Sequence, residues 1–176
     1  MSRFTKRASL AALVALAALA LAVAAPARAS APVGFSFHAS NITGISTGSA
    51  FLTGGGTFDP AGATVHAGGG FRCTNAIAGA PFAGCLAGQG VRWDTTEVLP
   101  STLFKCTAAE TPRAISTDAQ TVVLAADFYR AGDGNDESFN AQMIVSASDL
   151  DAAIPGDQHV WIQGIGCGLA GVGFGA

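Results

Sequence analysis

Charge, long apolar runs and helical periodicity are all scarce in this 176-residue chain. Charged residues make up only 12% of it. Beyond residue 25 no stretch approaches the roughly 18 consecutive apolar residues that a transmembrane helix needs, so we predict no membrane span in the remainder. The chain also lacks heptads and tandem repeats, which argues against a coiled coil or a solenoid.

Basic residues are fewer than acidic ones, nine against twelve. Four of the nine, Arg3, Lys6, Arg7 and Arg28, lie in the first 29 residues. The rest of the chain therefore carries five basic and twelve acidic residues, a formal charge of −7. An acidic chain has no electrostatic reason to bind nucleic acid. No other partner is identified by the sequence.

The N-terminal segment has the order of a secretory signal peptide. A short basic stretch is followed by an uncharged apolar run over residues 10–25, then by Pro26 and the small-residue sequence Ala27-Arg28-Ala29. A membrane anchor is the alternative, but this run is shorter than the roughly 20 residues that span a bilayer. We predict that residues 1–29 are removed, leaving one domain over residues 30–176 that is secreted or periplasmic.

The four cysteines, Cys73, Cys85, Cys106 and Cys167, all lie in the predicted mature domain. An even number in an exported chain predicts two disulfides. No pair has the C-x-x-C spacing of a zinc or redox site, and we expect no cofactor. Three pairings are possible. Chain proximity favours Cys73–Cys85 with Cys106–Cys167, and Cys73–Cys106 is the alternative.

Side chains alternate with period two along most of the mature chain, which is typical of half-buried β-strands. The clearest cases are residues 64–73 and 138–146, and the run 121–130 is apolar on both faces until Asp127, as in a more central strand. Further strands are expected near 33–41, 48–58, 90–98, 159–167 and, more weakly, 169–174.

Short turns between most of these strands predict a meander. Two glycine clusters, 54–56 and 68–70, fall in neighbouring strands, where paired bends help a sheet to close. One short helix candidate starts at Ser148 and is stopped by Pro155, and residues 107–119 are expected to form a polar loop. The fold class is therefore all-β: a single antiparallel domain of about seven or eight strands, barrel-like rather than a β-sandwich, with very little helix.

Candidate catalytic groups are few. Asp127 and Tyr129 share one face of a strand, and a partly buried carboxylate beside a phenol can act as a general acid and base. The same carboxylate can instead be a structural partner for an arginine. His66 could join them at the barrel mouth. Neither it nor His38 or His159 has metal-ligand spacing such as H-x-x-x-H, so solvent-facing or hydrogen-bonded histidines are expected.

Three other patterns fail as catalytic or binding motifs. The sequence GISTG would make Ser46 a nucleophile, but the residues after it predict a strand where a nucleophile elbow requires a helix. Asp94 and Glu97 stand three apart on a predicted strand and are expected on opposite faces, unsuited to paired-carboxylate catalysis. Trp93 and Trp161 could line a sugar-binding surface, although both are expected in the core.

The acidic loop AGDGNDESF invites comparison with a calcium-binding β-roll repeat. Asp133, Asn135, Asp136 and Glu137 could each offer an oxygen ligand. There is only one copy, however, and Ser138 stands where the repeat needs a large apolar residue. We predict a hairpin loop with at most weak calcium affinity, on the order of 10⁻⁴–10⁻³ M, and no other metal site.

Two classes of function remain after these exclusions. The first is an exported soluble β domain with a non-enzymatic binding or envelope-structural role. The second is a small secreted enzyme, a hydrolase or a barrel-type isomerase, with a site around Asp127 and Tyr129. The absence of a catalytic constellation in the sequence favours the first.

Overall fold

The computed structural model describes residues 31–61, 64–130 and 137–175. All of its regular structure is β-strand. The strands are β1 (Val33–Gly44), β2 (Ser49–Phe58), β3 (Val65–Asn75), β4 (Arg92–Leu99), β5 (Ser101–Phe104), β6 (Arg113–Ser116), β7 (Thr121–Arg130), β8 (Glu137–Ser146), β9 (Gln158–Ile162) and β10 (Gly166–Gly175).

Eight of these strands form a closed antiparallel barrel in the order β1-β10-β9-β8-β7-β4-β3-β2. Each barrel strand pairs with the next barrel strand along the chain, and β10 closes the barrel on β1. The prediction of an all-β meandering barrel is confirmed. The two glycine clusters also meet as expected, with Gly54 opposite Gly69 and Gly55 opposite Gly68.

Apolar side chains fill the barrel interior. On β7 the inward positions are Val122, Leu124, Ala126 and Phe128, all of them buried. Trp93 on β4 lies opposite Phe128 and Gly69 and is fully buried. Its indole N–H donates to the Thr53 carbonyl at 3.0 Å. The glycine-lined wall makes room for this ring: a Cβ added at Gly54 would lie 2.6 Å from it.

A second apolar cluster lies outside the barrel, beneath the hairpin of β5 and β6. This hairpin is an excursion between β4 and β7, and the polar loop expected over 107–119 is wrong in part, because β6 forms within it. Strand β6 is only four residues long, too short for its alternation to be read from the sequence. The cluster consists of Phe104, Cys106, Val123, Ile144, Leu150, Trp161 and Cys167.

Two further local predictions are wrong. The helix candidate at Ser148 forms turns, in which the Asp149 carboxylate accepts the N–H groups of Asp151 and Gln158. The strand expected over 159–167 is split into β9 and β10 by a tight turn at Gly164, where φ is +81°.

Asp94 and Glu97 lie on the same face of β4, contrary to expectation. A β-bulge between Thr95 and Glu97 adds one residue, so Asp94 pairs with Asp127 while Glu97 pairs with Ala125. Because the inserted residue shifts the alternation of β4 by one, both carboxyl groups are on the outside of the barrel.

Both disulfides have the favoured pairing, Cys73–Cys85 and Cys106–Cys167. The first ties the loop after β3 to the barrel, and the second ties the chain after β5 to β10. Such bonds are consistent with an oxidising compartment. No helix among the described residues is long and apolar enough to cross a membrane. The predicted signal peptide 1–29 and the candidate calcium ligands Asp133, Asn135 and Asp136 lie outside the described residues.

Candidate functional site

Asp127 and Tyr129 lie on the outer face of the barrel, because they alternate along β7 with the inward-facing Ala126 and Phe128. Arg92, which pairs with Tyr129 across the strands, stacks its guanidinium 5.1 Å from the phenol ring. The Arg92 Nε also lies 3.6 Å from the Asp94 carboxylate. The candidate pair thus belongs to a polar surface cluster and not to a barrel mouth.

The charge of Asp127 governs the chemistry of this cluster. This charge is the largest cause of the raised pKa of Tyr129. Burial and the charge of Asp94 also raise that pKa, by smaller amounts. One carboxylate oxygen of Asp127, Oδ1, is buried and has no hydrogen-bond partner. A phenol with a raised pKa is a poorer general base near neutral pH. The cluster therefore offers fixed surface charges more than proton transfer.

We expect Asp127→Asn to lower the pKa of Tyr129 toward its usual value, since the substitution removes the largest charge effect. Tyr129 is the single tyrosine in the chain, so alkaline titration of tyrosinate absorbance reports on it alone. The raised pKa favours the protonated phenol in the folded state. The contribution of the protonated Tyr129 phenol to the free energy of unfolding is therefore present below about pH 10 and is lost as the pH rises further.

Asp94→Asn is the matched comparison for this titration. Asp94 raises the pKa of Tyr129 less than Asp127 does, so its removal should lower that pKa by a smaller amount. An unchanged titration curve in Asp127→Asn would contradict the assignment of Asp127 as the main cause.

The other sequence candidates are not brought together. His66 is exposed on the outer face of β3. Ser46 lies in a bend, its hydroxyl accepts the Gly48 N–H at 3.1 Å, and strand β2 follows. The expected failure of the nucleophile-elbow motif is confirmed. Trp93 and Trp161 are both buried, as expected, the second beneath the β5–β6 hairpin with its N–H donating to the Lys105 carbonyl.

A different polar site lies on the outer face where β1 and β9 flank β10. Both flanking strands carry a β-bulge beside Leu169 of β10. On β1 the extra residue is Ser40, between the pairs Ala39–Ala170 and Asn41–Leu169. On β9 the extra residue is His159, between the pairs Val160–Gly168 and Gln158–Leu169. Bulges re-aim side chains and are frequent beside functional sites.

The two bulges border a groove of about 350 Å³, which we call the bulge groove. Its floor has little side-chain cover, because a Cβ added at Gly171 would meet nothing within 4 Å. The groove is lined by His38, Ser40, Asp157, His159, Leu169, Ala170 and Gly171.

The polar side chains of the bulge groove have few partners. Within the described residues, no side-chain hydrogen bond joins His38, Ser40 or Asp157 to another group, and all three are exposed. His159 is half-buried, and its Nδ1 atom is buried with no hydrogen-bond partner. Buried polar atoms are normally paired in folded proteins, so an orphaned ring nitrogen at a groove calls for an explanation.

The sequence gives a weak signal for this groove. His38-x-Ser40 and Asp157-x-His159 each place two polar groups at i and i+2, the spacing that puts side chains on one face of a strand. Neither pair has a standard metal or catalytic spacing. The two pairs are more than 110 positions apart, and only closure of the barrel brings them to one surface.

Within the part of the chain that the structure describes, the metal-ligating side chains of Cys106, Glu110 and Asp151 lie together, with their ligand atoms within 4.8 Å of one another. The disulfide removes Cys106 as a thiolate ligand. Burial of Asp151 acts to raise its pKa, but hydrogen bonds from Arg113 and from the Ala153 N–H outweigh this effect and the pKa is lowered. Arg113 forms ion pairs with Asp151 at 3.0 Å and with Glu110 at 3.3 Å, so the two carboxylates have a structural partner.

No known protein family, curated protein or solved structure matches this chain.

Proposed function

We propose that this chain is an exported, non-enzymatic binding domain that acts through the outer face of its barrel. The observation that carries this proposal is the distribution of its side chains. The interior is filled by buried apolar groups, whereas the bulge groove outside collects polar groups that have no partners in the described structure.

The filled interior matters because most ligand-binding barrels hold their ligands inside. Here Trp93, Phe37, Phe71 and Phe128 occupy the central space, with ring centroids of neighbours between 5.0 and 6.4 Å apart. Phe82, from the loop after β3, packs on Phe71 and Phe128. Aromatic rings at these separations are in contact, so they leave little room for a small molecule among them.

An enzymatic role around Asp127 and Tyr129 has less support. Both residues are half-buried on the outer face of the barrel, outside the apolar interior where water is most fully excluded and catalytic electrostatics are strongest. Its tyrosine also has a raised pKa.

The test is a two-dimensional ¹H–¹⁵N NMR screen of the oxidised chain against a library of small organic fragments. The sample is expressed with its own N-terminal segment, and its mass should begin at Ser30 if it is exported as proposed. We expect the fragment-induced shifts to concentrate at the amides of residues 38–40, 157–159 and 169–171. A filled barrel should leave the amides of residues 122–128 unchanged.

Two outcomes would overturn the proposal. Shifts concentrated on the interior positions of β4 and β7 would mean that the barrel opens to admit ligands. Chemical conversion of a fragment, abolished by Asp127→Asn, would instead favour the enzymatic alternative.

A further inference from the structure

Strand β10 has an unpaired backbone edge along its second half. On one side it pairs with β1 over its whole length. On the other side the pairing with β9 ends at Leu169, which lies opposite Gln158. Apart from β1, no strand or loop backbone within the described residues pairs with residues 170–175, which we call the open edge. Because alternate residues of an antiparallel strand direct N–H and C=O to the same neighbour, about half of these residues direct both groups away from β1.

The open edge lacks the features that protect strand edges from pairing with another chain. Natural proteins place charged side chains, proline or β-bulges at such edges. Residues 170–175 include no charged residue and no proline, and their register with β1 is regular. Strand β4 shows the contrast: it pairs with β3 only over Arg92–Asp94, and its remaining edge carries a β-bulge and the exposed Glu97. The open edge of β10 is therefore available to another strand.

The side chains of the open edge match those of a second copy of the same strand. The inward positions Val172 and Phe174 are only half-buried, although Phe174 packs against the buried rings of Phe35 and Phe58. The outward positions are glycine. When two copies pair antiparallel about a two-fold axis, residues opposite each other share a face of the sheet. Glycine then meets glycine outside, and apolar side chains meet apolar side chains inside.

We propose that the chain forms a two-fold symmetric dimer in which the open edges of two copies pair antiparallel. The pairing gives hydrogen-bond partners to the backbone groups of both edges and covers Val172 and Phe174 of both copies. The formal charge of −7 beyond residue 29 opposes association, but residues 158–176 contain no Asp, Glu, Lys or Arg, so the paired strands themselves carry none of this charge. The inference concerns self-association and does not depend on which ligand the bulge groove takes.

The experiment is sedimentation equilibrium of the untagged, oxidised chain at concentrations between about 10 µM and about 1 mM. Each copy contributes only residues 170–175, far fewer than the roughly 20–30 residues per side of a stable interface, so we expect a reversible dimer. The average mass should rise with concentration from that of one chain toward that of two. It should not exceed two, because a two-fold contact uses the open edge of both copies.

Gly173→Lys should abolish the rise in mass, because it places a positive charge on each of the two strands that pair. The site has room for a side chain, since a Cβ at Gly173 would lie 3.4 Å from its nearest neighbour, the Ser36 Oγ. Thr57→Lys is the matched control. It adds the same charge at an exposed position of β2, which β1 separates from β10, and it should dimerise as the wild type does.

Four outcomes of sedimentation would overturn the inference: a wild type that stays a single chain at the highest concentration, a mass that grows beyond two chains, a dimer that survives Gly173→Lys, and a dimer that Thr57→Lys abolishes equally. If Gly173→Lys does not fold, amide hydrogen exchange of the wild type decides the question. Raising the concentration should slow exchange at alternate amides of residues 170–175. Slowing confined to other parts of the chain would place the contact elsewhere and contradict pairing through the open edge.

Discussion

Removing the Cys106–Cys167 disulfide by the double substitution to Ala should lower the free energy of unfolding by about 4 kcal/mol. The bond joins positions 61 residues apart, and in the loop-closure account its stabilisation increases with the length of the loop. It also fixes the end of the β5–β6 hairpin to β10. Chemical denaturation under non-reducing conditions, followed by circular dichroism, measures the loss.

The Cys73–Cys85 double substitution to Ala is the internal comparison. It opens a loop with a sequence separation of only 12 and should cost about 3 kcal/mol, less than the longer loop. Loss of the longer bond should also expose Trp161 to solvent, which shifts tryptophan emission to longer wavelength. If the Cys73–Cys85 substitution costs more stability than the Cys106–Cys167 substitution, and tryptophan emission does not shift, the hairpin is held by its apolar contacts alone.

Replacing Trp93 with Ala should destabilise the barrel by about 3–5 kcal/mol, the usual range for deleting a buried Trp or Phe. Trp93 is fully buried and contacts Phe37 and Phe128, and its N–H donates to the Thr53 carbonyl. The wall beside it is made of glycine, so no neighbouring side chain there can move in to fill the cavity. Urea denaturation gives the change in stability.

Val91→Ala is a suitable control for the same measurement. Val91 directly precedes β4 and is 54% exposed, so its truncation should stay within about 0.5 kcal/mol of the wild type. A loss below about 1 kcal/mol for Trp93→Ala would contradict a well-packed interior, and with it the argument that ligands bind outside the barrel.

Local sequence patterns were enough to predict most of the barrel strands, and chain proximity favoured the disulfide pairing that forms. Alternation over residues such as 121–130 reports which side chains are buried, because each strand in a barrel has one face inside and one outside. The glycine clusters predicted in two neighbouring strands pair with each other across β2 and β3. The favoured pairing of Cys73 with Cys85 followed from chain proximity, which is itself a local property.

Only the tertiary structure decided that the bulge groove forms and that the β5–β6 hairpin covers the second apolar cluster. A bulge depends on how two strands align, so the shift of Glu97 to the face of Asp94 cannot be read from β4 alone. Ser40 and His159 face one groove because β10 closes the barrel between their strands. Where no bulge interrupts a strand, alternation in the sequence indicates which residues face outward, but strand register across distant parts of the chain determines which of them meet.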